Sequence, residues 1–270
     1  MSRPLILVTN DDGIQASGLQ AAVRVARELG EVRVVAPDRE RSGVSHAITL
    51  SEPLRVRPFG EGRWSLSGTP ADCVFIAVNH LLDRRPDLVI SGINRGPNLG
   101  GDVLYSGTVG GAMEGTIHGI PSVALSLISS AEFDFEGAIP AVRMLLADLL
   151  QRGLEPGVTL NVNLPDASIA PFRGFRVVRL GRRFYSNDVI TRTDPRGEEY
   201  LWIGGTRVTM ETTPDTDCGA VQEGWASVTP LQADFLAAGA MGNLRWVERL
   251  PGGAGEEGPR RSAPEAQEAR

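Results

Sequence analysis

Residues 5–36 read LILVTNDDGIQASGLQAAVRVARELGEVRVVA, and this stretch decides the fold. The apolar run at 5–8 is closed by turn residues, which predicts a buried strand. An apolar stripe at helical spacing follows and ends near Gly30, and residues 32–36 predict the next strand. A strand, a helix and a strand within about 40 residues imply a right-handed crossover and therefore a parallel sheet.

The alternation of strand and helix patterns continues to Pro165. Residues 175–231 alternate polar and apolar residues between turn signals, which predicts β-hairpins added to the α/β body. The expected organisation is one domain over residues 1–250. Residues 251–270 have no apolar face and are expected to be disordered. The individual elements predicted are strands at 88–91, 122–126 and 158–163 and helices at 108–118 and 139–151.

The charge composition excludes several classes of function. The net charge is −6 and the pI about 5.2, so no basic surface for long nucleic acid is expected. All 27 basic residues are Arg, and the absence of Lys excludes a P-loop and a Schiff-base enzyme. Positive charge that meets a phosphate must therefore come from Arg, backbone N–H groups, a helix terminus or a metal ion.

The sequence predicts a cytoplasmic protein that does not enter a membrane. Its N-terminus has no signal-peptide pattern, and no stretch approaches the ~18 apolar residues of a membrane helix. The two cysteines, Cys73 and Cys218, have no CxxC partner. Two buried thiols in a reducing compartment are expected, and a disulfide between them is the alternative.

Four polar loops leave the carboxyl ends of predicted strands, where parallel α/β sheets bind their ligands. Because these strand ends meet at one edge of the sheet, the four loops predict a single site. They comprise residues 10–13 (NDDG), 37–46 (PDRERSGVSH), 91–98 (SGINRGPN) and 105–108 (YSGT).

Asp11 and Asp12 are the predicted metal-binding and catalytic pair. Adjacent carboxylates at a strand end repel each other and repel a phosphate, so they either face bulk water or share a cation. An ordinary Asp-Asp-Gly turn is the alternative, but the three neighbouring polar loops favour the metal site. The other nearby donors, the Ser42 hydroxyl and the Asn94 amide, are hard oxygen ligands, which favours Mg²⁺ or Mn²⁺ over zinc.

Residues 106–108 open a helix whose free backbone N–H groups form an anion site. Plain N-capping by Ser106 or Thr108 is the alternative, and it is compatible with phosphate binding. Asn98 lies in a Gly-Pro-Asn turn, from which its amide is expected to reach a phosphoryl oxygen. His46 is interpreted either as a phosphate contact or proton donor, or as a surface histidine.

Several longer motifs resemble those of the SurE family of survival proteins, which are 5′/3′-nucleotidases. The resemblance covers about residues 4–235, with the motifs in the family's order. Ser45 is one departure, because many members have Gly there. The matching stretches are residues 6–14 (ILVTNDDGI), 35–42 (VAPDRERS), 67–73 (SGTPADC), 91–98 (SGINRGPN), 106–109 (SGTV) and 223–231 (EGWASVTPL).

The resemblance implies a Rossmann-like fold, an α/β parallel-sheet sandwich with a C-terminal β-hairpin extension, that assembles into homodimers or homotetramers. It also implies a phosphomonoesterase that uses one divalent metal ion per subunit, Mg²⁺ or Mn²⁺. The implied substrates are nucleoside 5′-monophosphates, with 3′-monophosphates and short polyphosphate as further candidates. Carried over by motif, the metal ligands are Asp11, Asp12, Ser42 and Asn94. The phosphate contacts are Asn98, Ser106, Gly107 and Thr108.

The expected mechanism is direct hydrolysis by a metal-activated water that Asp11 or Asp12 orients or deprotonates. An aspartyl-phosphate route is the rival. Such phosphatases commonly use two acids separated by one residue, whereas the position two before Asp12 is Asn10, which is not a nucleophile. A sensor that binds metal and nucleotide without hydrolysis is the alternative outside catalysis.

Overall fold

The computed structural model describes residues 3–129, 132–165, 171–186, 189–204 and 208–250. The chain divides into two compact units, Met1–Ala233 and Asp234–Arg270. In the second unit the described residues form a short helix between two 3₁₀ segments. The tail 251–270, predicted to be disordered, lies outside the described residues.

The first unit alternates strands and helices through its first 164 residues and is mainly β-structure after them. In chain order, the elements are β1 (Leu5–Thr9), α1 (Ser17–Leu29), β2 (Glu31–Pro37), β3 (Val56–Pro58), β4 (Arg63–Leu66), α2 (Pro70–Ile76), β5 (Leu88–Arg95), a 3₁₀ segment (Gly100–Leu104), α3 (Gly107–Ile117), β6 (Ser122–Leu127), α4 (Phe135–Arg152), β7 (Val158–Leu164), β8 (Phe175–Val177), β9 (Arg183–Tyr185), β10 (Val189–Thr193), β11 (Glu199–Ile203), β12 (Val208–Met210), α5 (Asp217–Gln222) and β13 (Ala226–Gln232).

The central sheet has nine strands in the order β3-β4-β2-β1-β5-β6-β7-β13-β8. The six strands from β4 to β7 are parallel, whereas β3 and β13 run antiparallel to β4 and β7. Strands β2, β4 and β3 lie on one side of β1 in the sheet, and β5, β6 and β7 lie on the other side. A switch point therefore lies between β1 and β5, and the predicted Rossmann-like α/β sheet is confirmed.

The core lies on both faces of this sheet. Ile6 and Val8 of β1 belong to one apolar cluster, together with buried residues of α1 and α4. Leu7, between them, belongs to a second cluster with buried residues of α2. Because successive side chains of a strand point to opposite faces, a strand covered on both sides needs a continuous apolar run. The run at residues 5–8 meets that need.

Helix α4 begins four residues earlier than the sequence pattern predicts. Asp134 caps it, because the Asp134 carboxylate accepts a hydrogen bond of 2.9 Å from the Gly137 backbone N–H. Pro140 therefore lies inside the helix rather than at its first position.

Only the middle of the segment 175–231, which was predicted as a hairpin extension, lies outside the central sheet. Its two ends, β8 and β13, are strands of the central sheet. Between them, β9 pairs with β12, and β10 pairs with β11 as an antiparallel hairpin. This β10–β11 hairpin is exposed along its whole length, and the exposed fraction is 63% for Trp202 and 97% for Ile203.

Two further expectations concern whether the two cysteines form a disulfide and whether a helix could span a membrane. Cys73 and Cys218 are both buried free thiols, so the disulfide alternative does not form. In the described part of the chain, every helix is too short or too polar to cross a lipid bilayer.

Candidate active site

Three of the predicted site residues, Asp11, Asp12 and Asn94, lie near the switch point between β1 and β5. Asp11 and Asp12 follow β1 directly, and Asn94 lies near the end of β5. The register of β5 against β6 shifts between Ser91 and Asn94, so the end of β5 carries a bulge. Bulges often re-aim side chains beside active sites, and this one leaves Gly92 and Ile93 out of the register just before Asn94, which pairs with Ser126.

Asp11 is a buried carboxylate in contact with the start of α3. Its exposed fraction is 5%, and the Thr108 hydroxyl donates a hydrogen bond of 2.5 Å to its Oδ1. Burial raises the pKa of Asp11 to about 6, although hydrogen bonding by Thr108 partly opposes the rise. The neighbouring Asp12 charge adds to it. The negatively charged form of Asp11 is therefore destabilised at this buried position.

Asp12 is only half-buried and has a different hydrogen-bond partner from Asp11. The Arg95 backbone N–H donates to its Oδ2 at 3.2 Å. Burial raises the pKa of Asp12, the Arg95 contacts lower it, and the charge of Glu40 raises it again. Asp12, Glu40 and Arg95 line a small cavity of about 120 Å³ together with Ala16, Ser17, Gly18 and Phe135.

The loop after β2 lies along the other side of Asp11. The Arg41 backbone N–H donates to the carbonyl of Asp11 at 2.7 Å, which fixes the loop beside the carboxylates. Ser42, the next residue, donates from its hydroxyl to Oε1 of Glu40 at 2.8 Å. The hydroxyl oxygen of Ser42 keeps lone pairs for a further partner.

Ser45 has a backbone φ of 58°, a conformation that favours glycine. Its N–H donates to the carbonyl of Tyr105 at 2.9 Å, and its hydroxyl donates to the carbonyl of Leu104 at 2.6 Å. These two bonds hold a non-glycine residue in the left-handed region. Ser45 therefore adopts a backbone conformation that glycine adopts readily.

The N-terminus of α3 packs directly on Asp11. A Cβ added to Gly107 would lie 2.9 Å from Cβ of Asp11 and 3.1 Å from its Oδ2. Ser106 caps the helix by accepting a hydrogen bond of 3.0 Å from the Val109 N–H. Ser106 therefore has the predicted capping role, and the Thr108 backbone N–H in the same turn hydrogen-bonds to the Asp11 carboxylate and lowers its pKa.

Asn94 and Asn98 bring amide groups to the same edge. Asn94 donates from Nδ2 to the carbonyl of Gly96 at 2.9 Å, which leaves its Oδ1 as an oxygen ligand. Asn98 is buried and donates from Nδ2 to the hydroxyl of Ser126 at 2.7 Å.

His46 belongs to the loop after β2, and its ring contacts α3 at Glu114, beyond this group. Its Nε2 is 2.7 Å from Oε2 of Glu114, a buried carboxylate that His118 also approaches at 3.2 Å. Glu114 follows Gly107 by about two turns, or about 10 Å along the helix axis. The structure thus brings the His46 backbone close to Gly110 but directs its ring away from the N-terminus of α3.

Four residues around this edge and along α3 were given no role from the sequence: Glu40, Glu114, Asn161 and Asn163. Asn161 and Asn163 had a readable signal, since they alternate with apolar residues in the buried strand VTLNVNL of β7. Fully buried polar side chains usually have hydrogen-bond partners that explain them. Glu114 had no such signal, because its partner His46 is distant in sequence.

The donor set fits a hard divalent cation. It offers two carboxylates, a hydroxyl oxygen and an amide oxygen, which suit Mg²⁺ or Mn²⁺. Among the described residues, no Arg or His side chain hydrogen-bonds to Asp11 or Asp12. Over the same residues, no group of three or more His, Cys, Asp or Glu could hold a metal. That result is consistent with a site whose remaining ligands are Ser42, Asn94 and water.

Comparisons with known proteins point to one family. The family model described as "Survival protein SurE" matches residues 6–187. The chain is 48% identical over 250 residues to the 5′-nucleotidase SurE of Synechococcus sp. (strain JA-3-3Ab), covering 89% of this chain and 96% of that protein. It is 46% identical over 250 residues to the 5′/3′-nucleotidase SurE of Edwardsiella ictaluri (strain 93-146), covering 92% and 98%.

A solved structure supports the same assignment. The crystal structure of the SurE protein from Aquifex aeolicus aligns with a TM-score of 0.79 at 38% identity, and the alignment covers 91% of this chain and all of that one. Sequence and fold thus agree over nearly the whole length of both proteins. The chain belongs to the SurE family.

Proposed function

We propose that this protein is a 5′-nucleotidase, a metal-dependent phosphomonoesterase that hydrolyses nucleoside 5′-monophosphates to nucleoside and phosphate. Nucleoside 3′-monophosphates and short polyphosphate are proposed as further substrates. One observation carries the proposal: the buried carboxylate of Asp11 touches the first turn of α3, an anion-binding helix terminus. A phosphate is tolerated beside that carboxylate only when a cation lies between them.

Membership of the family implies a divalent metal cofactor. We assign one ion per subunit, Mg²⁺ or Mn²⁺, to the oxygens of Asp11, Asp12, Ser42 and Asn94. When bound, such an ion supplies positive charge to phosphoryl oxygens and lowers the pKa of a nearby water. The hard donor set and the raised pKa values of both aspartates support this assignment.

The protein's own groups bind and orient the ester. The backbone N–H groups of Gly107 and Thr108, the Ser106 hydroxyl and the Asn98 amide are proposed to hold the non-bridging oxygens. In the chemical step the oxygen of a water bonds to phosphorus as the ester P–O bond breaks. One aspartate, Asp11 or Asp12, accepts the water's proton, and the leaving oxygen takes up a proton to release the nucleoside.

His46 was interpreted either as a substrate contact or proton donor, or as a surface histidine. Its bond to Glu114 favours a different contribution, which is to hold residues 42–46 against α3. Ser42 then keeps its position beside Asp11, since it belongs to the same loop.

A phosphate-release assay tests the function and its non-catalytic rival. The purified protein is incubated with Mg²⁺ or Mn²⁺ and a panel of 5′- and 3′-monophosphates of each base, together with short polyphosphate. Free phosphate from the 5′-monophosphates is expected, and EDTA should abolish it. Nucleotide binding without phosphate release would favour the sensor, and full activity in excess EDTA would contradict the metal site.

Single turnover in ¹⁸O-labelled water tests the mechanism. Direct hydrolysis places the label in the released phosphate. An aspartyl-phosphate route would instead leave the label in an enzyme carboxylate.

We also propose that the protein is a homodimer or homotetramer that associates through the β10–β11 hairpin. A two-stranded hairpin is marginally stable by itself, and this one exposes Tyr200, Leu201 and Trp202. A large exposed apolar patch marks an association surface. A cytoplasmic location is likewise proposed, and the two free buried thiols support it.

A further inference from the structure

The backbone of Asn98 is held by side chains of β7 rather than by another strand. The Asn98 N–H donates to Oδ1 of Asn163 at 2.7 Å, and the Asn98 carbonyl accepts from Nδ2 of the same residue at 3.0 Å. The same carbonyl accepts a second bond from Nδ2 of Asn161 at 2.8 Å. Both backbone polar groups of Asn98 are therefore satisfied by side-chain amides.

These amides lie in the interior of the sheet. Asn161 and Asn163 are fully buried on a strand whose alternate residues belong to the apolar core. A buried amide without hydrogen bonds is destabilising, so apolar residues would serve packing alone better at these positions. What the two asparagines add is a fixed location for the loop residue Asn98.

The side chain of Asn98 and the residues after it are fixed as well. Ser126 on β6 accepts the bond from Nδ2 of Asn98, which sets the rotation of the amide. Two residues further on, the Gly100 N–H donates to Oδ2 of the buried Asp217 at 2.8 Å. The loop is thus held at both ends of the three-residue segment 98–100.

We propose that Asn163, assisted by Asn161, is a positioning residue for catalysis that acts through Asn98. The inference rests on the role given to the Asn98 amide in the proposed function. Asn163 does not touch the substrate itself. By fixing both backbone groups of Asn98, it keeps the Asn98 amide in the geometry that binds a phosphoryl oxygen as the P–O bond breaks.

A double-mutant cycle on the full-length protein tests this proposal. Asn163→Ala should lower kcat/KM for a nucleoside 5′-monophosphate by about 100-fold, because displacement of a positioning group by about 1 Å costs a factor of that order. The larger part should appear in kcat rather than in KM. In an Asn98→Ala background, Asn163→Ala should have almost no further effect, because the amide that it positions is gone.

The matched control is Thr159→Val. Thr159 lies on the same strand and the same face as Asn161 and Asn163, is fully buried, and hydrogen-bonds to Thr116 at 2.6 Å without touching Asn98. The Thr159→Val substitution should leave kcat/KM within about twofold of wild type. A thermal melt of each variant identifies any loss of folding, and Asn161→Ala, which removes only one bond, provides a milder replacement for Asn163→Ala with an expected loss of about tenfold.

The outcomes separate this inference from the proposed function. Equal losses from Asn163→Ala in both backgrounds would mean that it acts through the general fold, and would overturn the proposal. Wild-type activity from Asn98→Ala would overturn it too, because Asn98 would then not be the group that is positioned. An inactive wild-type protein would instead reject the proposed function.

Discussion

Thr108 donates a hydrogen bond of 2.5 Å to Oδ1 of Asp11, so the first turn of α3 and the end of β1 share one buried contact. This bond orients the carboxylate and leaves its Oδ2 beside Gly107. It lowers the pKa of Asp11, but by less than burial raises it. The carboxylate is therefore fixed in place although its charge is not neutralised by a protein cation.

Asp11→Asn should reduce kcat by several orders of magnitude and leave the fold intact. The amide oxygen can still accept from Thr108, whereas the negative charge that holds the cation and accepts a proton is lost. Mg²⁺ or Mn²⁺ should raise the melting temperature of the wild type by binding the folded state, and should not raise that of the variant. Asp148→Asn, an exposed carboxylate on α4, is the control. Near-normal turnover of Asp11→Asn would remove Asp11 from the mechanism.

The stability of the metal-free protein should depend on pH through Asp11. The pKa of this carboxyl is about 6 in the folded state against 3.8 ordinarily, so the folded state binds the proton more tightly. The contribution to stability is present below pH ~4 and is lost as the pH rises through ~6, by roughly 3 kcal/mol.

Asp11→Asn removes this dependence, which isolates it from other carboxyl groups. In EDTA, the free energy of unfolding of the variant minus that of the wild type should increase between pH 4 and 7. Urea unfolding at each pH measures it. A difference that stays constant with pH would show that Asp11 is not a strained carboxylate.

Gly107→Ala should disable the site. The new Cβ would lie 2.9 Å from Cβ of Asp11, so either the helix or the carboxylate must shift. A loss of kcat/KM of about 100-fold is expected, with weaker activation by Mn²⁺. Gly101→Ala is the matched control, because a Cβ there meets open space, and its kinetics should stay close to wild type. Unchanged kinetics in Gly107→Ala would show that the helix moves away without affecting the site.

Trp202→Glu should dissociate the oligomer. It places a charge on the apolar surface of the β10–β11 hairpin, where Trp202 is 63% exposed in the single chain. Light scattering coupled to size exclusion should show a smaller species than the wild type. Arg196→Glu in the turn of the same hairpin is the control and should keep the wild-type mass. An unchanged mass for Trp202→Glu would place the interface elsewhere.

The sequence predicted the sheet well where strands are buried on both faces. β1 carries an apolar run long enough to be recognised, β7 alternates apolar and polar residues, and the turn after β1 marks the carboxyl edge. By contrast, β3 and β4 were missed. They are three and four residues long and half-exposed, so they have neither an apolar run nor a full alternation.

The surroundings of the predicted site residues could not be predicted from the sequence. The sequence alone does not distinguish Asp11 from Asp12. In the structure, Asp11 is buried against α3, whereas Asp12 is half-buried beside Arg95. That difference arises from the packing of a helix almost a hundred residues later in the chain. The bond between His46 and Glu114 is equally non-local, and a pattern in the sequence around His46 does not reveal it.

The burial of Asp11 also affects which substitutions selection for stability would favour. A neutral residue at this position would relieve the fold of a charge that it tolerates poorly, so the most stabilising single replacement should also be an inactivating one. Laboratory evolution for heat resistance alone would collect such inactive clones. Turnover must be screened in the same round if the phosphatase is to be kept.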